Sequence, residues 1–319
     1  MTNRMRFLCG KYNSPRFQQG DRIDYRQYYP QGTESEFEGH QASITAVPPS
    51  GTFNLKSVKT GYAGIFLGAN GNTALSRFNG EEEKPIVVPN MAAANGTEAY
   101  ILGLSNLSDL GDLSNKYMQK FIVNSSEVRL KNLTLGNPHK DYYNPYWSTS
   151  VGSKSPEIDV SKAIYLETFN LQNCSAYRSS LDFSNCKAIR KILLTGSGVN
   201  TLILPPSGVL TELRLPTSIN KIDINSHATL SPDKFSIGEY QYDESLPYED
   251  QKIGAGNGVY LNDYTSLTSL KVIDTNIDTY SIVRGARNLD EYCLRGVNWT
   301  ITENDFQYCL RENKNLTPE

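Results

Sequence analysis

The sequence predicts a β-rich chain: a small N-terminal β domain followed by an irregular solenoid of short parallel strands. Three observations carry that expectation. Short segments of alternating apolar and polar residues recur at near-constant spacing from Leu130 onward. Gly, Pro, Asn and Ser cluster between those segments, where a chain turns out of a sheet. Residues 1–95 lack this period and show β-favouring runs broken by turn residues instead.

The N-terminal domain, 1–95, rests on "QASITAVPPSGTFNLKSVKTGYAGIFLGANGNTALSRFNG", Gln41 to Gly80. Its Val, Ile, Thr and Phe favour a pleated surface, and its Gly, Asn and Pro favour hairpin turns. "GEEEKPIVVPNMAAANGTEAY" then connects into the array, 96–319. The stretch from Leu102 to Val123 has Leu at three-residue steps and reads as a cap or first irregular turn, since terminal rungs of an array must shield its open end.

The array itself begins with "LKNLTLGNP" at Leu130 and continues with "LETFNLQNC" at Leu166. "IRKILLTGSGV" follows at Ile189, "VNTLILPPSGV" at Val199, "LTELRLPTSI" at Leu210 and "INKIDINSHATL" at Ile219. "LTSLKVIDTNI" at Leu267 and "LDEYCLRGVNW" at Leu289 complete the set, and "NKNLTPE" has the look of another unit's opening. In each, alternation puts the apolar residues on one face of a short strand. One such strand cannot bury that face alone; stacked neighbours in register can. Successive starts in the central block are about half of one 20- to 29-residue leucine-rich unit apart. Pairs of them fit one unit: Ile189 to Leu210 is 21 residues and Leu267 to Leu289 is 22. The expectation is therefore two strands per turn, one on each side, with "PPSG" and "PTS" as corners.

An insertion at about 230–266, rich in Tyr, acidic residues and Gly, separates two blocks of repeats. Loops of this type on a repeat array are often placed on its binding side, or serve only as solvated connectors. A second aromatic concentration, "HKDYYNPYWSTS", follows the first repeat strand. Flat rings stack on sugars and anchor protein interfaces. The candidate interaction surface is accordingly Tyr142, Tyr143, Tyr146 and Trp147, with Tyr240 and Tyr242 from the insertion. The alternative is that the rings simply cover one side of the array.

Composition narrows the function classes. An apolar fraction of 38% and a charged fraction of 20% suit a folded chain. A net charge of -3 argues against a nucleic-acid partner, which selects a basic face. The five cysteines have no CxxC spacing, and Cys174 and Cys186 fall at repeat positions where Cys acts as a small buried hydrophobe. His40, His139 and His227 stand far apart with no partner at metal-ligand spacing. Neither a nucleophile elbow nor a phosphate-binding loop occurs, and "GAGNGV" at Gly254 reads as a turn. "ESEFEGH" and "GEEEKP" could supply paired carboxylates for glycoside cleavage, but solvated surface is the simpler reading. The expectation is no catalytic residue, no cofactor, no metal and no membrane span. The first residues carry no apolar core of signal-peptide length, so export by the ordinary route is not expected.

The "ILPPSG" and "RLPTS" corners resemble the BspA-like class of leucine-rich repeats, in which an "LPxS" corner follows the first strand. The likeness covers about Leu130 to Leu316 and departs from the class in lacking its helical "AF..C" segment on most turns. Ile101 to Trp147 also looks like repeat-bearing tail or baseplate proteins of gut bacteriophages. That second resemblance implies a structural virion component, folded in the host cytoplasm and present in multiple copies. It would contact other virion proteins, or a glycan or protein of the host surface. A bacterial cell-surface adhesin or carbohydrate-binding module is the alternative, and a solenoid enzyme acting on glycosides ranks below both.

Overall fold

The computed structural model describes residues 44–46, 52–67, 72–87, 99–102, 107–112, 120–135, 157–172, 174, 177, 179–206, 208–225, 230, 234–237, 266–277, 279, 282–283, 286, 288–297, 302, 304 and 307. Among them the fold is β-rich, with parallel strands in sheets and almost no helix. Two compact units divide the chain: Met1–Leu135 with Thr149–Leu166, and Gly136–Ser148 with Glu167–Glu319.

Among the described residues the first unit holds ten strands. They are β1 (Ile44–Ala46), β2 (Thr52–Val58), β3 (Gly61–Leu67), β4 (Asn72–Phe78), β5 (Glu81–Val87), β6 (Ala99–Leu102), β7 (Leu107–Asp112), β8 (Lys120–Val123), β9 (Asn132–Thr134) and β10 (Glu157–Asp159). One sheet runs β10-β8-β1-β6-β3-β4, and a second carries β9-β7-β2-β5. β3 and β4 form an antiparallel hairpin, the local pairing expected of the N-terminal sequence. The chain then changes sheets, at Lys59–Thr60 and again at Asn79–Gly80, where Gly80 has φ of 93°. Asn-Gly between two strands ordinarily signals a hairpin, yet here β4 and β5 lie in different sheets, so the turn is a corner. β5 pairs instead with β2, where Lys56 meets Glu81 at 3.2 Å across the ladder. Pairing turns parallel towards the end of the unit, in β7 with β9 and β8 with β10.

The second unit holds β11 (Thr168–Asn170), β12 (Ser180–Asp182), β13 (Lys191–Leu193), β14 (Thr201–Ile203), β15 (Glu212–Leu215), β16 (Lys221–Asn225), β17 (Phe235–Ile237), β18 (Ser269–Ile273) and β19 (Glu291–Arg295). They sort by alternation into two parallel ladders. β11, β13, β15 and β17 form one, and β12, β14, β16, β18 and β19 the other. The sequence steps of 21 and 22 residues are the register steps of these ladders: Lys191 pairs with Glu212 and Ser269 with Glu291. The half-steps are crossings from one ladder to the other.

Alternation decides which side chains are dry. Phe169, Ile192, Leu213 and Phe235 lie in one register row of the first ladder, and all are buried. In the second ladder Leu181 pairs with Leu202, and Ile222 with Leu270, and these too are buried. Removing a Leu or Ile side chain from water contributes about 1.5–3 kcal/mol, so these rows are the main favourable term of the unit. Phe169 and Phe183 meet edge to face at 5.1 Å, extending the core past the strand end. Cys174 and Cys186 are buried free thiols.

Strand ends carry a repeated device. The side chain of Asn170 accepts a hydrogen bond from the Gln172 amide at 2.9 Å, and Asp182 does the same for Ser184 at 2.8 Å. In the first unit Asp159 caps Ser161 in the same way. Each is an Asx turn, which replaces the ladder bond that the chain gives up on leaving the sheet. A four-residue turn follows, closed by Cys186 N–H to the Phe183 carbonyl and then Ile189 N–H to the Cys186 carbonyl. Part of the insertion near 230–266 also belongs to a ladder: β17 pairs with β15, Phe235 standing 22 residues after Leu213.

Candidate interaction face

Each ladder has an inward row and an outward row, and the two outward rows differ. In the first ladder the outward side chains Asn170, Arg214 and Ser236 are 8%, 6% and 8% exposed, while Thr168, Leu193 and Glu212 are half-buried and Lys191 is exposed. Arg214 Nε lies 3.2 Å from Glu212 Oε1, a pairing that offsets the desolvation of a buried guanidinium. In the second ladder the outward residues Ser180, Asp182, Lys221, Glu291, Cys293 and Arg295 are exposed, and Ile203 is 45% exposed. Among the described residues, the outward face of the five-stranded ladder is the more exposed of the two.

Five strands at about 4.8 Å spacing make this face roughly 19 Å wide along the ladder. Its charges are mixed in sign and arranged in short cross-strand contacts. Lys271 Nζ stands 3.7 Å from Asp223 Oδ2 on the neighbouring strand. Ser269 Oγ donates to Glu291 Oε1 at 2.5 Å, and Thr201 Oγ1 to Asn220 Oδ1 at 3.2 Å. Solvent-exposed pairs of this kind contribute about 0–1 kcal/mol each, so they orient side chains more than they hold the fold. What the arrangement offers a partner is a flat, ordered array of donors and acceptors on a rigid sheet.

One corner of this ladder is set by left-handed backbone. Asp274, just after β18, has φ of 51°, and Gly296, just after β19, has φ of 58°. The two corners stack: the Asp274 amide donates to the Arg295 carbonyl at 2.8 Å and the Thr275 amide to the Gly296 carbonyl at 3.1 Å. A Cβ on Gly296 would push the exposed Asp274 carboxylate aside and press on the Asp274 Cα, on top of the left-handed backbone, so glycine is favoured at the second corner.

The aromatic residues singled out from the sequence, Tyr142, Tyr143, Tyr146, Trp147, Tyr240 and Tyr242, lie outside the described residues. The face that the structure does describe was not picked out by sequence reading. Its signal was present in the x positions of "SLDF", "KIDIN", "SLKVI" and "EYCLR", which are polar or charged apart from Ile273 and Cys293. Among the described residues no group of three His, Cys, Asp or Glu side chains could hold a metal ion, and no helix is long and apolar enough to cross a membrane. Comparison with protein-family models, with curated proteins and with solved structures finds no match to this chain.

Proposed function

We propose that the second unit is an irregular leucine-rich-repeat-like solenoid and that the protein works by recognition, as a non-enzymatic structural component. The observation that carries this reading is the outward face of the five-stranded ladder, where Ser180, Asp182, Lys221, Glu291, Cys293 and Arg295 are exposed, beside an outward face of the other ladder that buries Asn170, Arg214 and Ser236. An extended ordered face with few large apolar groups suits many modest contacts with a protein or glycan. The setting in best accord with the sequence is a bacteriophage particle, as a tail or baseplate component folded in the host cytoplasm. Support for that setting comes from the resemblance of Ile101 to Trp147 to such proteins.

Quantitative mass spectrometry of purified particles tests the setting. The reading expects the chain in particles at a fixed copy number relative to other tail proteins. Its recovery only in the envelope of uninfected bacteria would support the adhesin reading instead. The face is tested separately by Lys221→Glu with Lys271→Glu, which reverses two exposed charges without touching the buried rows. Loss of the chain from particles, with unchanged thermal stability, is the expected outcome. Normal incorporation rules the face out as the contact.

A further inference from the structure

The five-stranded ladder has two edges, and they differ. At β12 the inward residue Leu181 is 1% exposed. At β19 every residue is exposed or half-buried. Tyr292 continues the inward row of Ile222 and Leu270, and Leu294 that of Ile224 and Val272. Those four neighbours are at most 3% exposed, whereas Tyr292 is 43% exposed. Among the described residues β19 pairs with β18 alone. A strand with a wet aromatic, no Pro and no inward charge lacks the usual guards against strand addition.

Backbone bonding fixes how this edge can be met. The Glu291 amide donates to the Thr268 carbonyl at 3.2 Å, and the Arg295 carbonyl accepts from the Asp274 amide at 2.8 Å. Glu291, Cys293 and Arg295 thus turn their backbone groups to β18, and alternation points those of Tyr292 and Leu294 away from it. Two antiparallel copies of such an edge meet only with like positions opposed. Centred on Cys293, that pairing sets Tyr292 opposite Leu294 of the second copy, each exchanging N–H and C=O bonds. It also sets Glu291 opposite Arg295 on the outward face. Centred on Tyr292 instead, Leu294 would oppose Asp290; centred on Leu294, Tyr292 would oppose Gly296. Of these registers, only the one about Cys293 matches apolar with apolar and acid with base. Parallel in-register addition would oppose like charges, Glu291 to Glu291 and Arg295 to Arg295.

We propose that β19 is a self-association edge, at which two copies of this chain pair antiparallel about Cys293 and join their five-stranded ladders into one continuous sheet. The contact is isologous, so the same five residues serve both copies. Its charged ends are already steered outward within each copy: Glu291 accepts from Ser269 Oγ at 2.5 Å, and Arg295 lies 4.0 Å from Asp274. One strand of five residues from each copy buries less than the roughly 1,000 Å² of a stable interface. The pair is therefore weak and forms at high local concentration. It does not depend on the phage setting proposed above.

Charge exchange across the pair tests it in the full-length chain. Sedimentation velocity under reducing conditions, over a concentration series, should show a monomer–dimer equilibrium. Glu291→Lys alone, or Arg295→Glu alone, opposes like charges twice in each dimer and should weaken association roughly tenfold. The double variant Glu291→Lys, Arg295→Glu restores both pairs and should associate like the parent chain. An equimolar mixture of the two single variants should also associate, because each then meets its complement. Location is read by trapping. In a Cys9→Ser, Cys309→Ser chain, whose Cys174 and Cys186 are buried, oxidised glutathione should link Cys293 to Cys293 of the second copy, releasing two glutathione thiols. Opposed residues at a position without ladder bonds stand about 4.5 Å apart at Cα, within disulfide reach. Peptide mass spectrometry identifies the bond. A chain that stays monomeric throughout overturns the proposal, as does a dimer undiminished in both single variants. Failure of the double variant and of the mixture to associate also overturns it, as does a Cys293 capped only by glutathione.

Discussion

Truncating Leu213 and Ile203 separately tests whether alternation along the rungs divides core from surface. Leu213 is 0% exposed and sits in register between Ile192, also 0% exposed, and Phe235, 5% exposed. Leu213→Ala removes three carbons from a closed site and leaves a cavity, at a cost of about 3 kcal/mol in the range found for buried Leu. Ile203 stands 45% exposed on the outward row of the other ladder. Ile203→Ala forfeits little burial, so its effect stays within about 0.5 kcal/mol. A shift of about 2–4 °C per kcal/mol then gives a Tm lowered by roughly 6–12 °C for Leu213→Ala and by about 2 °C or less for Ile203→Ala. Thermal unfolding followed by far-ultraviolet circular dichroism reads both, and the double variant Ile192→Ala, Leu213→Ala should depart from additivity because the two residues touch one shared cavity. Equal shifts for the two single variants, or a larger one for Ile203→Ala, would refute the division.

Further outcomes follow from the polar groups and the corners. Glu212→Gln removes the carboxylate beside the buried Arg214 guanidinium and should cost about 1–3 kcal/mol in urea unfolding, whereas Lys191→Met, at an exposed ammonium 3.7 Å from Glu212, should change stability by about 0.5 kcal/mol or less. Gly296→Ala forces a side chain into left-handed backbone against Asp274 and should lower stability by roughly 1–2 kcal/mol; no loss would show that the corner relaxes freely. The Asn79 amide, and after it the Lys84 ammonium, hold the Glu82 carboxyl below its ordinary value of 4.5. Its contribution to stability is therefore present above about pH 4.5 and lost as pH falls through the lower folded value. Carboxyl NMR should show a midpoint below 4.5 that rises in Lys84→Met, and a midpoint at or above 4.5 in the parent chain contradicts this.

The legible part of the fold was the part governed by alternation and spacing. The alternation around Leu202, Leu213 and Ile222 marked them as core, and they are 6%, 0% and 3% exposed. The 21- and 22-residue steps reappear as register pairings because stacked strands must repeat at the length of one circuit of chain. β17 was hidden, since three residues, Phe235–Ile237, are too few to show a period amid Pro, Asp and Gly. The Asn79–Gly80 corner was misleading, because turn chemistry states that the chain reverses, not which strand it pairs with next. The exposed face of the five-stranded ladder was illegible for a related reason. Asn170 and Asp182 occupy the same place in their strands and make the same turn, yet one is buried and the other exposed. Local pattern assigns a side chain to a face of its sheet, but only tertiary structure determines what covers that face.

The distance between spin labels at Ser180 and Glu291 tests the parallel array most directly. Both positions are exposed, and they stand at the same register on the first and last strands of the five-stranded ladder. Four strand spacings separate them, so a narrow distribution is expected near a backbone separation of about 19 Å, broadened only by the label linkers. A distribution centred beyond about 35 Å, or one without a defined maximum, would mean that these rungs do not share one sheet, since four spacings cannot stretch so far.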